Sequence, residues 1–435
     1  MTGRRFDPSV YRDPAPAPWL IHALGPFVRH LVLPRVIRLR RLELPATDRA
    51  RLRVAIHPAT AAFIGPNHPE FMTDWMIDKE ISRRVSPLMA HWAAYEIVNV
   101  NPLAQRFWLA NNLIAAAPGG GGKAYSVAWA RRGHGVLLHP EGAVSWHADV
   151  VGPLVSGIVD MAWDCAAALE RDGEPRPVST VPIVWKLVFE TDVSRGLGRE
   201  MAHMEHVLGL PSRGGLDAGP RFAALQVALL ARKAEKLGIT VGGLSPALPP
   251  HDYFTAQEHA EAALRARLAE RYGPHDGDPA RALHRLRRAV RARAAIDPEG
   301  TRADRARLGE LTRLAGFPRA IYDVPTLAQE HIAENLKRTR ALLLTRGMAE
   351  AMHNLVPRAV AARVAHMRVA EPVAVREAYA QAGGGGTDAE TVKRRLLDTH
   401  RERLVATLAR LVAELAPVTD RFRRPNPLFS GGTRD

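Results

Sequence analysis

The chain has a single cysteine, Cys165, among 435 residues. An intramolecular disulfide is therefore impossible, and a lone thiol favours a reducing compartment. We find no internal repeat. The first residues lead into prolines rather than into the apolar core of a signal peptide, so we expect no secretory leader. With 46% hydrophobic and 24% charged residues, the composition is that of a folded protein with room for two or three domains.

Acidic residues are fewer than basic ones, 45 against 60, which leaves a net charge of +15. The excess is mostly arginine, spread along the chain. This balance favours anionic partners such as phospholipid surfaces, phosphorylated substrates, acidic carrier proteins or nucleic acid. A biased genomic base composition explains it equally well. The Arg-rich stretches lack aromatic interleaving and a recognised reading motif, so we expect no nucleic-acid partner.

A long uninterrupted apolar run is also missing. Residues 19–44 come nearest, but His22, Pro26 and Pro34 interrupt them too often to predict a spanning helix. Their apolar residues can share one helical face that is followed by arginines, as in an interfacial anchor for an anionic bilayer. A helix packed on its own domain explains the pattern as well. The first interpretation predicts peripheral attachment at the cytoplasmic, inner face of a membrane.

Short apolar runs alternate with helical patterns as far as about residue 215. This alternation predicts an α/β fold with a central sheet flanked by helices, followed by a mostly α-helical C-terminal region. We divide the chain into an amphipathic segment (1–45), an α/β domain (46–215) and a helical accessory region (216–435). The predicted strands are 60–66, 112–118, 135–142 and 178–185, and the helices between them are 74–85, 123–133 and 155–173. The later predicted helices are 219–237, 255–272, 278–296, 302–315, 326–369 and 388–416.

Polar stretches follow the predicted strands, where open α/β sheets keep their sites. In chain order they are "NHPEFMTD" (67–74), "AAAPGGGGK" (115–123), "HPEGAVSW" (139–146) and "VPIVW" (181–185). This order and spacing resembles the glycerolipid acyltransferase superfamily (1-acylglycerol-3-phosphate acyltransferase-like), over roughly residues 55–190. Asn67, His68 and Asp74 match its first block. Pro140, Glu141 and Gly142 match its third, and Val181 and Pro182 its fourth.

The resemblance implies an enzyme that moves a fatty acyl group from a thioester to a hydroxyl of a glycerolipid or a related acceptor. Such a reaction needs a base that removes the hydroxyl proton, and a near-neutral histidine suits that task. His68 is the candidate base, and a carboxylate on its other ring nitrogen would hold the right tautomer. We expect that carboxylate to be Asp74. Glu70 is its rival, because the family usually has one residue fewer between histidine and aspartate, and Thr73 occupies that position here.

The other blocks bear on the substrates. We expect Asn67, Lys123, Pro140, Glu141 and Gly142 to bind substrate; Glu141 would contact acceptor hydroxyls or steady the site. Relatives usually offer an arginine to a phosphate in the second block, where this chain has glycines 119–122 and Lys123. That glycine-rich turn either cradles an anion or is a flexible surface turn. The Thr and Arg of the third block are Ala143 and Val144 here, which weakens the case for a phosphorylated acceptor.

We expect neither metal nor cofactor, only acyl-CoA or an acylated carrier protein as co-substrate. His203 and His206 have ligand spacing on a helix, with His147 nearby, but no third spaced ligand follows. Relatives carry Phe in place of His139, for which packing or capping is the expected role. Cys165 lies in an Ala-rich helical run typical of a core. The second hypothesis is a degenerate acyltransferase fold that binds lipid or acts as a scaffold without catalysis.

Overall fold

The computed structural model describes residues 7, 10–70, 72–117, 120–239, 249–274, 279–343, 358–384, 386 and 388–431. The chain forms two compact units. The first is Met1–Val188 with Leu355–Arg358 and Ala362–Leu415, and the second is Phe189–Asn354 with Ala359–Ala361 and Ala416–Asp435. The boundary expected near residue 215 therefore falls at Val188, and the first unit takes back a long C-terminal segment that we had assigned to the accessory region.

The strands and helices follow in chain order. The strands are β1 (Leu39–Glu43), β2 (Ala61–Pro66), β3 (Ala90–Ala93), β4 (Leu113–Ala115), β5 (Val136–Leu137), β6 (Val178–Val188), β7 (Thr326–Leu327), β8 (Arg363–Val369), β9 (Val373–Ala374) and β10 (Arg424–Pro425). The helices are α1 (Pro18–Phe27), α2 (Ala46–Ala55), α3 (Thr73–Val85), α4 (Tyr95–Val98), α5 (Pro102–Ala110), α6 (Gly121–Ala130), α7 (Gly157–Arg171), α8 (Ser194–Val207), α9 (Ala218–Leu237), α10 (Tyr253–Tyr272), α11 (Pro279–Ile296), α12 (Arg302–Ala315), α13 (Arg319–Tyr322), α14 (Gln329–Leu343), α15 (Val375–Gln381) and α16 (Ala389–Thr419).

The first unit is an α/β fold around an eight-stranded, mostly parallel sheet of order β1-β8-β6-β2-β5-β3-β4, with β9 beside β6. Strands β6, β2, β5, β3 and β4 are parallel, whereas β8 is antiparallel to β6. Every residue of β2 is buried, as its continuous apolar sequence requires of a central parallel strand. The fold class predicted from the alternation of strands and helices is confirmed.

Helices cover both faces of this sheet. On one face α3 contributes Ile77 and Ile81 to a core that includes Leu52 of α2. On the other face α7 buries Ile158 and Ala162 against the strands. Each of these helices is amphipathic at the helical period, which is why its apolar stripe turns to the sheet.

One predicted helix was wrong in part. We expected residues 326–369 to be helical, and α14 does form, but residues 363–369 form β8, the second strand from one edge of the sheet. Residues 344–357 lie outside the described part of the chain. The segment "RVAHMRV" places Val364, Ala365, Met367 and Val369 in buried positions between β1 and β6. Both neighbouring strands come from far away in sequence, so its pairing could not be deduced from local periodicity.

The second unit is mainly helical. It contains α8 to α14 and the two-stranded sheet of β7 and β10. The helices predicted over 219–237, 255–272, 278–296 and 302–315 are confirmed to within a few residues as α9 to α12. An aromatic cluster around Phe317 lies in its core, where Phe317 stacks on Tyr322 with ring centres 4.1 Å apart.

The N-terminal helix is continuous despite its prolines. α1 leads directly into a π-helical segment, Val28–Ile37, and together they give a 20-residue helix that is long and apolar enough to cross a membrane by length and composition. We had expected the prolines to break it. Leu33 and Ile37 pack into the core beside α3, while Trp19 and Phe27 are 72% and 52% exposed. The helix therefore packs one face on its own unit and leaves another apolar face uncovered.

Candidate active site

The candidate site lies at the C-terminal ends of β2 and β5. Asn67 and His68 directly follow β2. The stretch from His139 to Gly142 begins two residues after the end of β5. Because β2 and β5 are adjacent and parallel, their carboxyl ends meet at the same edge of the sheet. Two blocks that are about seventy residues apart in sequence thus form one site.

His68 is hydrogen-bonded through Nδ1 to Oδ2 of Asp74. The Asp74 side chain is 2% exposed and that of His68 is 18% exposed. The longer spacing between them is absorbed by a tight turn in which Met72 has a left-handed φ of 59°, immediately before α3 begins at Thr73. The other oxygen of Asp74, Oδ1, accepts the N–H of Glu70 at 3.0 Å. The partner of His68 is thus Asp74, as expected, and not Glu70.

This pairing decides which nitrogen of His68 can act as a base. A carboxylate accepts hydrogen bonds, so it places the ring proton on Nδ1 and leaves Nε2 with its lone pair. Within the described residues, no hydrogen bond occupies Nε2 of His68. Burial lowers the pKa of His68 well below its ordinary value, and His139 lowers it further. Burial raises the pKa of Asp74, as do the carboxylates of Asp78 and Glu70, while the Glu70 N–H opposes them.

Glu70 has a different partner. Its carboxylate forms a buried, bidentate ion pair with Arg363 of β8, at 2.5 and 3.1 Å. It also accepts the hydroxyl of Thr73 at 2.6 Å. Arg363 in turn donates to the carbonyl of Ile37 at 3.3 Å. The turn that carries Asp74 is thereby tied to the far C-terminal strand, a contact that no motif in the sequence indicated.

Asn67 joins two strands. Its side-chain amide donates to the carbonyl of Trp185 at 3.0 Å and accepts the N–H of the same residue at 3.0 Å. Asn67 is fully buried. We had expected it to bind substrate, but the structure gives it a positioning role, because both polar atoms of its side chain are occupied by the backbone of β6.

Glu141 steadies the loop around His68. Its two carboxylate oxygens accept the backbone N–H groups of His68 and Gly152, each at 2.7 Å. Burial raises the pKa of Glu141, while these two N–H groups lower it. Of the two roles expected for Glu141, these bonds support the steadying one. Pro140 is buried, and its carbonyl accepts the N–H of Val155 at 2.8 Å.

Gly142 and Ser145 complete the turn of the third block. Gly142 is exposed and has a φ of +67°, a left-handed conformation that glycine adopts without strain. The Ser145 N–H donates to the carbonyl of His68 at 2.8 Å. Together with the bond from Glu141, this holds the backbone of His68 at both its N–H and its carbonyl.

Lys123 lies farther away. It is exposed, in the first turn of α6, the helix that follows β4. β4 is the third strand from β2 in the sheet, roughly 14 Å away at the usual spacing of strands. The preceding Pro118 and Gly119 lie outside the described residues. A substrate that reached both His68 and Lys123 would have to extend along this edge of the sheet.

His139 and Asp78 are polar neighbours of His68 that the sequence did not single out together. The rings of His68 and His139 are stacked, with centres 4.0 Å apart and planes 14° from parallel. His139 Nδ1 donates to the carbonyl of Asn67 at 3.0 Å, and its Nε2 lies 3.1 Å from Oδ2 of Asp78 on α3. Asp78 lies one helical turn beyond Asp74, a spacing that could have placed both on the same face of α3.

Ligand atoms of His68, Asp74 and His139 lie within 4.8 Å of one another, close enough to hold a metal ion by distance alone. The geometry opposes shared ligation. The nitrogen lone pairs of two stacked rings lie in nearly parallel planes and do not converge on one point, as a tetrahedral site requires. Both nitrogens of His139 are also hydrogen-bonded. Within the described residues, no third ligand accompanies His203 and His206 of α8.

Cys165 is fully buried in α7, as expected of a core residue. Burial raises the pKa of its thiol to about 12, which opposes a role as a thiolate nucleophile.

In comparisons with known proteins, no protein-family model matches the chain, and no curated protein matches it.

Proposed function

We propose that this protein is an acyltransferase that moves a fatty acyl group from a thioester to a hydroxyl of a glycerolipid or a related acceptor. The observation that carries the proposal is the His68–Asp74 pair: a partly exposed imidazole whose Nδ1 is held by a buried carboxylate and whose Nε2 is left as a base. The resemblance of the motif order to glycerolipid acyltransferases supports the same reaction. The donor would be acyl-CoA or an acylated carrier protein.

In this reaction Nε2 of His68 takes the proton of the acceptor hydroxyl as its oxygen attacks the thioester carbonyl. Asp74 keeps the ring in the required tautomer and stabilises the imidazolium that forms. When the tetrahedral intermediate collapses, the carbon–sulfur bond breaks, and the imidazolium returns the proton to the leaving thiolate. The products are an ester and a free thiol. The nucleophile is the substrate's own hydroxyl, so the enzyme needs no covalent acyl intermediate.

The fixed surroundings of His68 support this assignment. Its backbone is held by Glu141 and Ser145, and its ring by Asp74 and His139. Because the base is already held in place, little of the activation free energy is needed to orient it. Binding lipid does not require a partly exposed imidazole with a free Nε2 and a buried carboxylate behind it, which favours the proposal over the non-catalytic hypothesis.

We further propose that the protein works at the surface of an anionic membrane, peripherally and on its cytoplasmic side. The exposed face of the N-terminal helix carries Trp19, Phe27, Leu31 and Val36. Exposed arginines follow at Arg35, Arg40 and Arg41. Large apolar side chains next to cations are typical of helices that lie in the interface of an anionic bilayer. The inner face of the helix already packs on the first unit, which favours attachment over insertion.

The test is acyl transfer by the purified full chain. Labelled acyl-CoA or acyl carrier protein is incubated with a panel of lysophospholipids and polyols; products are identified by mass spectrometry and released thiol is measured separately. We expect an ester product and an equal amount of thiol. The His68→Ala variant should form both about two to four orders of magnitude more slowly, while His206→Ala, at an exposed histidine of α8, should match the wild type. Lipid retention without any product would overturn catalysis in favour of a lipid-binding protein.

A further inference from the structure

The ring of His139 lies flat against that of His68 and is itself held at both nitrogens. The carbonyl of Asn67 can only accept a hydrogen bond, so Nδ1 of His139 carries a proton. Nε2 faces a carboxylate oxygen of Asp78 at 3.1 Å, so one more proton lies between these two atoms. His139 and Asp78 thus repeat, one layer away, the imidazole–carboxylate arrangement of His68 and Asp74.

The position of that shared proton determines the charge of the His139 ring, which is stacked on His68. The ring faces an acceptor at each nitrogen, the carbonyl of Asn67 and the carboxylate of Asp78, which favours the proton on His139. The His139 side chain is 12% exposed and that of Asp78 is 2% exposed, so the ring keeps some hydration. Within the described residues, Oδ1 of Asp78 has no hydrogen-bond partner, so His139 is the main compensation for this carboxylate.

Other charged groups surround the pair. Burial raises the pKa of Asp78, and its bond to His139 opposes that rise. Burial raises the pKa of Glu141, while the N–H groups of Gly152 and His68 and the ring of His139 oppose that rise. On the neighbouring strand β3, His91 is buried, and burial lowers its pKa well below the ordinary value, which keeps it neutral. The titratable groups around the pair are His68, Asp74, Glu70, Glu141, His91 and Lys79.

We infer that His139 and Asp78 form a buried imidazolium–carboxylate pair that holds the ring of His68 flat and keeps it unprotonated until it meets a hydroxyl. This inference rests on the proposed function only where it gives the pair a task in catalysis. The protonation of the two rings does not depend on a bound substrate. His139 acts through His68 and is therefore a positioning residue. A positive ring beneath His68 disfavours uptake of a proton by the His68–Asp74 pair from solvent. The same stacking fixes the plane in which Nε2 points.

The inference distinguishes this chain from the family that it resembles, which carries phenylalanine in place of His139. A phenylalanine would preserve the stacked ring and remove both hydrogen bonds and the charge. His139→Phe is therefore the variant that separates the electrostatic role from packing. His91→Phe is its matched control, because it makes the same change at a buried histidine that is not stacked on His68.

The experiment is a pH titration of the full chain labelled at histidine with ¹³Cε1 and ¹⁵N, followed by NMR and without substrate. Signals of His68 and His139 are assigned from His68→Gln and His139→Phe. In the wild type we expect both nitrogens of His139 to carry a proton, because each faces a hydrogen-bond acceptor. In His139→Phe the midpoint of the His68 titration should rise by about one pH unit, the usual effect of a nearby charge. His91→Phe should leave it unchanged.

Asp78→Asn gives a second, independent variant in case His139→Phe does not fold. Its amide can donate to Nε2 of His139, so we expect that nitrogen to lose its proton and the His68 midpoint to rise as well. A bare nitrogen on His139 in the wild type, or an unchanged His68 midpoint in a folded His139→Phe, would overturn the inference. If the two histidines show the expected protonation but the protein transfers no acyl group, the pair is supported and only the proposed function is overturned.

Discussion

Glu70 and Arg363 form a buried bidentate ion pair between residues 293 positions apart in the chain. This pair fixes the turn that presents Asp74 to His68, because the N–H of Glu70 donates to Asp74. The carboxylate that rivals Asp74 in the sequence thus has a structural task. The candidate site therefore depends on β8, a strand from the end of the chain that the sequence placed in an accessory region.

Replacing Glu70 tests this tie. Glu70→Gln leaves the Arg363 guanidinium buried without its counter-charge, which should lower the free energy of unfolding by about 3–5 kcal/mol. Urea unfolding measures it. The matched control is Glu414→Gln, which breaks a more exposed pair with Arg368 and should cost no more than about 1 kcal/mol. Equal small losses in both variants would show that the Glu70–Arg363 pair does not hold the turn.

His68→Ala removes the proposed base. Turnover should fall by about two to four orders of magnitude, the usual contribution of a general base. The fold should survive, because the side chain is partly exposed at the edge of the sheet. Steady-state acyl transfer and circular dichroism measure the two properties. Near-normal transfer by a folded His68→Ala protein would contradict the assignment of the base.

Asp74→Asn tests the orienting carboxylate. An amide can hold His68 in the wrong tautomer and cannot stabilise the imidazolium, so kcat should fall strongly while the KM for the acceptor changes little. Asp398→Asn, at an exposed aspartate of α16, is the control and should be silent. If Asp74→Asn keeps normal activity while a stable Glu70→Gln loses most of its activity, Glu70 is the functional carboxylate.

His400 of α16 predicts a pH dependence of stability. It is fully buried, donates to or accepts from the Thr180 hydroxyl at 3.0 Å, and lies so close to Gly65 that a Cβ there would meet its Nε2 at 2.5 Å. Burial lowers the pKa of His400 from 6.5 to about 4. Between these values the unfolded chain binds a proton that the folded chain does not. Stability should therefore fall as the pH falls from 6.5 to 4, by roughly 3 kcal/mol.

The variant that checks this is His400→Gln, which cannot titrate. Its free energy of unfolding should vary less between pH 6.5 and pH 4 than that of the wild type. His251→Gln, whose side chain is 62% exposed in the wild type, should retain the wild-type slope. A slope that is the same in all three proteins would assign the acid sensitivity to other groups.

Liposome flotation tests membrane attachment through the exposed helix face. Binding should need anionic lipid and weaken with salt, since each arginine near the surface contributes roughly 1 kcal/mol and salt screens it. Replacing Trp19, Phe27 and Leu31 together by serine should abolish flotation. The control replaces Val54 and Leu103, which are 75% and 79% exposed on other helices, and should float normally. Equal binding to neutral vesicles, or none to anionic ones, would leave the helix with its packing role alone.

The sequence by itself determined β2, β4, β5 and β6, the helices α3, α6 and α7, and most helices of the second unit, but not β1 or β3. These features depend on hydrophobic periods and on turn residues, which are local properties of the chain. It also indicated His68 with Asp74, because residues that flank one turn before a helix are close in any fold that contains that turn. The family resemblance grouped the blocks after β2 and β5, and the structure showed that these two strands are adjacent and parallel, so that both blocks lie at the same edge.

Only the tertiary structure decided that residues 363–369 form a strand of the first unit, and so moved the unit boundary to Val188. It alone assigned Glu70 to Arg363, turned Asn67 toward the backbone of Trp185 and stacked His139 on His68. The physical reason is that these contacts join segments 70 or more residues apart. A period within ten or twenty residues contains no information about which distant strand or charge completes a buried pair.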